Sequence, residues 1–295
     1  MTMKQPITIA SCQFSVEADL SHNLSSVLSQ LDEAAKRGAR IVHFSETALS
    51  GYAGVDIESA NDIDYQQLRS ATEQVCQRAA DHGVFVLLGS THWLGPDDRP
   101  HNSVYVIDDG GIIVDRYDKR FCTGTVDPEP KMDLLHYSPG NHTTIFDLDG
   151  YRCAVLSCYD YRFPELYREL RQQGVDLLFQ SFHNARRQQS DHDAYNIWKQ
   201  IVPATLMCRA ATNHLWISAT NSMARCSSWP SFVVAPDGSL LDQLPEHTDA
   251  VLISQLDPEQ DYWDASAPWR DRSIDGQLHS GTLVDHPRSS DRTCL

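Results

Sequence analysis

The 295-residue chain predicts an α/β protein, a four-layer α-β-β-α sandwich with two mixed β-sheets face to face and helices outside. Three observations carry that prediction. A helix, a glycine and a buried strand follow one another three times, the grammar of strands joined by helical crossovers. Hairpin signals lie between those units, so antiparallel pairs must share the same sheets. One such hairpin falls in each half of the chain and hints at an internal pseudo-twofold, although the two are too dissimilar in sequence to count as a repeat.

Taken in order, the opening stretch alternates like a strand. Residues 21 to 37 then place Leu24, Val27, Leu31 and Ala35 on one helical face, with Ser21 as the cap and Gly38 as the stop. "ARIVHF" follows as a buried strand. A second helix carries Leu68, Ala71, Val75 and Ala79, ends at Gly83 and runs into "VFVLLGS". "NSVYVI" turns through Asp108-Asp109-Gly110-Gly111 into "IIVDRY". After the strand "YRCAVLS", Pro164 suits a first helical position, Leu166 and Leu170 share a face, Gly174 closes the helix and "VDLLFQS" follows. "SFVVA" then turns through Pro236-Asp237-Gly238 into "SLLDQL". Residues 1–265 are expected to form one domain. From 266 to 295 the periodicity is lost and the chain turns polar, so this segment is expected to be a tail, partly disordered or docked on a neighbouring subunit.

Composition removes several classes of function. A hydrophobic content of 41% with 22% charged residues is ordinary for a globular domain, and no segment has the unbroken apolar length that spans a bilayer. A net charge of −16 without a basic cluster argues against nucleic acid as a partner. The opening "MTMKQPITIASCQF" has no basic n-region, apolar h-region or small-residue cleavage site, so the expected location is the cytoplasm. The eight cysteines contain no C-x-x-C pair, and a chain this long needs no disulfide staples; reduced thiols are expected.

Three strands each deliver a reactive side chain just past their C-terminal ends. "RIVHF" leads into Ser45-Glu46, "IIVDRY" into Asp118-Lys119, and "YRCAVLS" into Cys158. In α/β sheets that edge is where loops converge over a ligand. The three groups have a joint chemical logic: a free thiol is mostly protonated at neutral pH, so it needs a base, here Glu46, and a cation, here Lys119, to act as a nucleophile. Lys119 and the backbone N–H of Tyr159 would then face a tetrahedral oxyanion. The helix dipole is expected to contribute less, because Pro164 lies six residues beyond Cys158.

"HFSETALSGY", "DRYDKRF" and "LSCYDYRFPEL" resemble, in order and spacing, the three signature blocks of the nitrilase superfamily, the carbon–nitrogen hydrolases. The similarity extends through "CRAATNHLWISATNS" and "VVAPDGSLL" to "PWRDR". The resemblance implies an α-β-β-α sandwich, homodimers or larger homo-oligomers, and a Glu-Lys-Cys thiol hydrolase that uses no cofactor. Tyr159 and Asp160 after the cysteine are similar to the amidase and carbamoylase branches, whereas the nitrile-cleaving branch carries Trp then Glu. The implied reaction is therefore cleavage of a small linear amide or N-carbamoyl compound through a cysteine thioester. One position departs from the pattern. Many members carry a second glutamate seven residues before a Pro-Gly glycine, and counting back from Gly140 reaches Asp133, with Glu129 four residues earlier. Asp133 in that role, Glu129 in its place, or impaired activity on simple amides all stay open.

Tyr52, Arg162, His183, Asn184, Arg186, Trp229 and Phe232 are candidates to wall the substrate pocket by adjacency to these blocks. Arg162 alternatively braces the turn after Cys158 by pairing with a carboxylate. Three other readings compete. A papain-like pair would set His183 against Cys158. A zinc site around His192 lacks H-E-x-x-H and paired Cys/His spacing, so no metal is expected. A degenerate member that binds a small molecule or protein without turnover is the non-enzymatic alternative, motivated by Asp133.

Overall fold

Alternation along the first strands sorts their side chains between two interfaces. The computed structural model describes residues 4–184, 197–223 and 227–293. In it β1 (Ile7–Gln13), α1 (Leu20–Lys36), β2 (Ile41–His43), α2 (Tyr65–His82) and β3 (Phe85–His92) form two parallel crossovers. Ile9, Ile41 and Leu87 face a second sheet, while Ala10, Val42, Val86 and Leu88 pack on Val27, Leu31, Leu68 and Val75 of the two helices. β4 (His101–Ile107) and β5 (Ile113–Asp118) extend the sheet as the first hairpin.

After the short α3 (Asp133–His136), the second sheet begins with β6 (Ile145–Leu148) and β7 (Tyr151–Ser157). It continues through α4 (Pro164–Gln172), β8 (Leu177–Ser181), α5 (Trp198–Asn213), β9 (Trp216–Thr220), β10 (Phe232–Val234) and β11 (Leu240–Gln243). β12 (Ala250–Leu256) then returns to lie antiparallel to β1. The two six-stranded sheets run β12-β1-β2-β3-β4-β5 and β11-β10-β9-β8-β7-β6. Read from β12 and from β6, the pairings follow one pattern: antiparallel, two parallel, two antiparallel. The pseudo-twofold is thus a property of topology. It also shows at the hairpin tips, where a Cβ on Gly111 would meet Cys76 O at 2.3 Å and one on Gly238 would meet Met207 O at 2.8 Å, so each tip lies against its outer helix.

Two local expectations need correction. The cap of α1 is Asp19, whose carboxylate accepts the Ser21 N–H at 2.8 Å; Ser21 already lies inside the helix. The segment after β7 does not wait for Pro164 to turn helical, because Cys158–Arg162 forms a 3-10 turn that leads into α4. At the far end α6 (Arg270–Ile274) is held to α5 through Arg270, which donates to Thr212 O at 3.2 Å and pairs with Asp264. Of the six described cysteines all are free thiols. No helix among the described residues is long and apolar enough to cross a membrane.

The interface between the sheets holds a polar cluster around His43. His43, fully buried, places Nδ1 2.9 Å from Ser218 Oγ and Nε2 2.9 Å from Ser181 Oγ, so hydroxyls of the second sheet hold the ring at the end of β2. Burial lowers its pKa from 6.5 to about 3. The unfolded chain therefore binds a proton that the folded one refuses, so this contribution to stability is fully present above pH 6.5 and is lost as pH falls toward 3. Between pH 6.5 and about pH 4 the loss should be about 3 kcal/mol. Urea unfolding across that range should show a shallower pH dependence in His43→Gln, which keeps a polar side chain but does not titrate; equal slopes would refute the assignment.

Candidate active site

Both sheets contribute to one buried cluster at the C-terminal ends of their parallel strands. Beyond β2 the chain crosses over β3 at Gly89, where a Cβ would lie 2.0 Å from Ser45 O and 2.7 Å from Thr47 N. Only glycine permits that approach, and it seats Glu46 in the interior with 0% exposure. Glu46 Oε1 accepts Asn102 Nδ2 at 2.8 Å and Lys119 Nζ at 2.8 Å, while Oε2 accepts the backbone N–H of His183 at 3.0 Å.

Lys119 follows β5 directly and is equally buried, at 1% exposure. Besides Glu46, its Nζ donates to Asp133 Oδ2 at 2.8 Å and Tyr52 Oη at 3.0 Å. Burial opposes its charge, but Glu46, Tyr52 and Asp133 outweigh that and hold its pKa well above the ordinary lysine value. Asp133 comes from α3, carried back over the end of β5 by the Pro-Gly segment, in which Gly140 N–H donates to Lys119 O at 2.9 Å. Its Oδ1 accepts Tyr52 Oη at 2.8 Å and its Oδ2 also accepts Thr123 N–H at 3.0 Å. Burial raises its pKa, yet Lys119 and these donors bring the net value below the ordinary carboxyl range. Glu129 is exposed to solvent. Of the two carboxylates left open by the sequence, Asp133 is the one that meets Lys119.

Cys158 opens the 3-10 turn with φ at 38°, a left-handed conformation uncommon outside glycine that re-aims the side chain at the strand end. Burial, the charge of Glu46 and a hydrogen bond to it raise the thiol well above its ordinary pKa, and Lys119 offsets this only in part. Burial and Glu46 thus oppose the thiolate more than Lys119 favours it, which fits the sequence reading that the thiol needs a base as well as a cation. The turn is braced by Asp160, whose Oδ2 accepts Tyr117 Oη at 2.7 Å and Ser157 N–H at 3.0 Å, and whose Oδ1 accepts Phe121 N–H at 2.9 Å. Tyr159 is the second residue of the turn, where backbone N–H groups have no intrahelical acceptor.

The pocket candidates divide. Tyr52 stands inside the cluster. His183 serves Glu46 through its backbone, while its ring stacks on Tyr52 at 5.3 Å and its Nε2 lies 2.9 Å from Asp56 Oδ2, in poor hydrogen-bonding alignment. The papain-like pairing with Cys158 is replaced by that contact. Asn184 N–H donates to Asn221 Oδ1 at 2.9 Å, and Asn184 Oδ1 accepts Ser228 N–H at 2.9 Å, which ties together loops after β8 and β9. Trp229 packs edge-on against Phe182 at 5.4 Å, and Phe232 is a core residue of β10 with 2% exposure, so it does not wall the pocket. Arg162 is exposed and stacks over Trp198 at 4.5 Å and Tyr161 at 5.3 Å; Asp160, not Arg162, braces the turn. Arg186 and His192 lie outside the described residues.

Asn102 and Asp160 escaped the sequence reading as members of the site. A signal for Asn102 existed: the turn at Asp108–Gly111 pairs Ser103 with Asp118, which puts Asn102 beside Lys119.

Comparison with known proteins follows the same line. The family model described as carbon-nitrogen hydrolase matches residues 8–261. The 2-oxoglutaramate amidase of Bacillus subtilis (strain 168) is 28% identical over 215 residues, covering 72% of this chain and 75% of that protein. The chloroplastic omega-amidase of Arabidopsis thaliana is 25% identical over 264 residues, covering 84% and 67%. A solved mutant of the Nesterenkonia AN1 amidase from the nitrilase superfamily superposes with a TM-score of 0.71 at 22% identity, over 85% of this chain and 91% of that one, and so shares the fold.

Proposed function

The chain belongs to the carbon–nitrogen hydrolase family, and from that membership we propose that it is a thiol-dependent amidase acting on a small linear amide or N-carbamoyl compound. The observation that carries the proposal is the buried pair of Glu46 and Lys119 at 2.8 Å, with Asn102 on the same carboxylate oxygen and Cys158 near enough for the charge of Glu46 to raise its thiol pKa. In this reading Glu46 takes the Cys158 proton as the sulfur attacks the amide carbon. Lys119 and the Tyr159 N–H stabilise the oxyanion, and Glu46 returns the proton to the departing nitrogen. Water, deprotonated by the same carboxylate, then cleaves the thioester to the carboxylic acid and frees the enzyme. Asp133 fills the second-carboxylate role by holding Lys119, with Tyr52 locking the pair. Its 2.8 Å contact with Nζ supports the enzyme over a binding module without turnover.

Tyr52, Asn184, Trp229 and Arg162 border or support the pocket in this reading, and amidase or carbamoylase relatives suggest a polar substrate. The enzyme is proposed to be a cytoplasmic homodimer or larger homo-oligomer of one-domain subunits. The tail beyond residue 266 would dock on a neighbouring subunit, which would cover Leu278, Leu283 and Val284, now 84%, 70% and 72% exposed. Ammonia release from ω-amides, aliphatic amides, N-carbamoyl amino acids and nitriles tests the activity. Release from amides or carbamoyl compounds is expected; release from nitriles alone, or from none of the panel, would overturn the reading.

A further inference from the structure

Asn102 lies where the first hairpin touches two members of the cluster at once. Its carbonyl accepts the Lys119 N–H at 2.9 Å and its Nδ2 donates to Glu46 Oε1 at 2.8 Å. Lys119 Nζ occupies the same oxygen at 2.8 Å, so both in-plane acceptor positions of Oε1 are taken. Oε2 receives the His183 N–H and keeps one position open. At the other end of the amide, Asn102 Oδ1 is buried with no hydrogen-bond partner among the described residues, in a side chain 1% exposed. Such an orphan is rare in folded proteins and asks for a reason. Turning the amide over would set its oxygen against the Glu46 carboxylate, so the contact with Glu46 dictates the orientation and the orphan is its consequence.

We infer that Asn102 is a positioning residue that gives the two Glu46 oxygens different duties, closing Oε1 so that Oε2 receives the Cys158 proton. In that step the S–H bond breaks, its electron pair stays on sulfur as the thiolate, and an O–H bond forms at Oε2. The inference deepens the amidase reading and rests on its assignment of Glu46 as the base. The charged and titratable groups around Glu46 are Lys119 from the end of β5, Asp133 from α3, Tyr137 just after it, Tyr52 and Cys122 from loops, Cys158 from the 3-10 turn, and the His183–Asp56 pair. Of these, Lys119 alone shares Oε1 with Asn102.

The test is the rate at which iodoacetamide alkylates Cys158, followed by mass spectrometry of its peptide as a function of pH, in wild type, Asn102→Asp and Asn102→Ala. Ammonia release is measured in parallel. In Asn102→Asp, which keeps the shape but replaces the Nδ2 donor by a second carboxylate against Glu46, the pH profile of alkylation should move to higher pH. In Asn102→Ala one position on Oε1 opens while Lys119 and the His183 N–H still hold the carboxylate, so the proton is no longer confined to Oε2 and the alkylation rate should fall on the order of tenfold. Wild-type rates and unmoved profiles in both variants would overturn the inference, and because Asp itself adds a charge beside Glu46, the uncharged Ala variant is the one that separates positioning from packing. Should Asn102→Ala fail to fold, the uncharged Asn102→Ser takes its place. Shifted alkylation profiles in a protein that releases no ammonia would sink the amidase reading and leave the role of Asn102 standing; ammonia release with unshifted profiles would do the reverse.

Discussion

Cys158→Ala should release no measurable ammonia from any substrate that the wild type cleaves, a loss of at least about 10⁴-fold, while its thermal unfolding stays close to that of the wild type. The size follows from the proposed chemistry: without the Cys158 sulfur the thioester that divides the reaction into two steps cannot form. The fold should tolerate the change because the turn at residue 158 is held by Asp160 through Tyr117, Ser157 and Phe121, not by the thiol. Retained turnover in Cys158→Ala would remove the sulfur from the mechanism.

Lys119→Met should be damaging in two measurements at once. Nζ holds Glu46, Asp133 and Tyr52 together at 2.8, 2.8 and 3.0 Å, and all three of its N–H bonds are directed at them. Its service to the oxyanion is thus mainly positive charge in a dry site, where charge acts strongly. Removing it should lower the rate about a hundredfold or more. It also leaves two buried carboxylates without their cation, which should destabilise the fold by about 3–5 kcal/mol. Lys119 has its folded-state pKa raised, so its contribution to stability is fully present below pH 10.5 and is lost as pH rises through the folded value. Asp133 has its value lowered, so its contribution is present above pH 3.8 and is lost on acidification. Urea unfolding and initial rates on the same preparations would test both. Wild-type behaviour in either would refute the corresponding half of the assignment.

Much of the architecture is legible in the sequence because it rests on short-range rules. Helix periodicity, the glycine stop at Gly83 and Pro164 at the first turn of α4 are properties of neighbouring residues, and they recur in the structure at the predicted places. Alternation in the strands decides which side chains face the second sheet. The end of each strand then tells which side chain is delivered to the common edge, and in this way Glu46, Lys119 and Cys158 could be named from one chain. Local rules also failed locally, at Asp19 and at the 3-10 turn of Cys158, where a side chain's own hydrogen bonds overrode the simple helix pattern.

What remained belonged to contacts between distant parts of the chain. Asp133 and Glu129 sit four residues apart in a segment without periodicity; only the return of Gly140 across the end of β5 brings the first to Lys119 and leaves the second in solvent. His183 reads as a ring that could face a thiol, yet the packing of the two sheets turns its backbone N–H to Glu46 and its imidazole to Asp56. Phe232 is adjacent to the motifs in sequence and buried in the core in space. Period and spacing are local, and they were enough to name the kinds of element, their order and the three reactive strand ends. Which donors fill which oxygens was not local, because hydrogen bonds depend on distances of tenths of an ångström between strands of two sheets, and those distances are set by how the sheets pack.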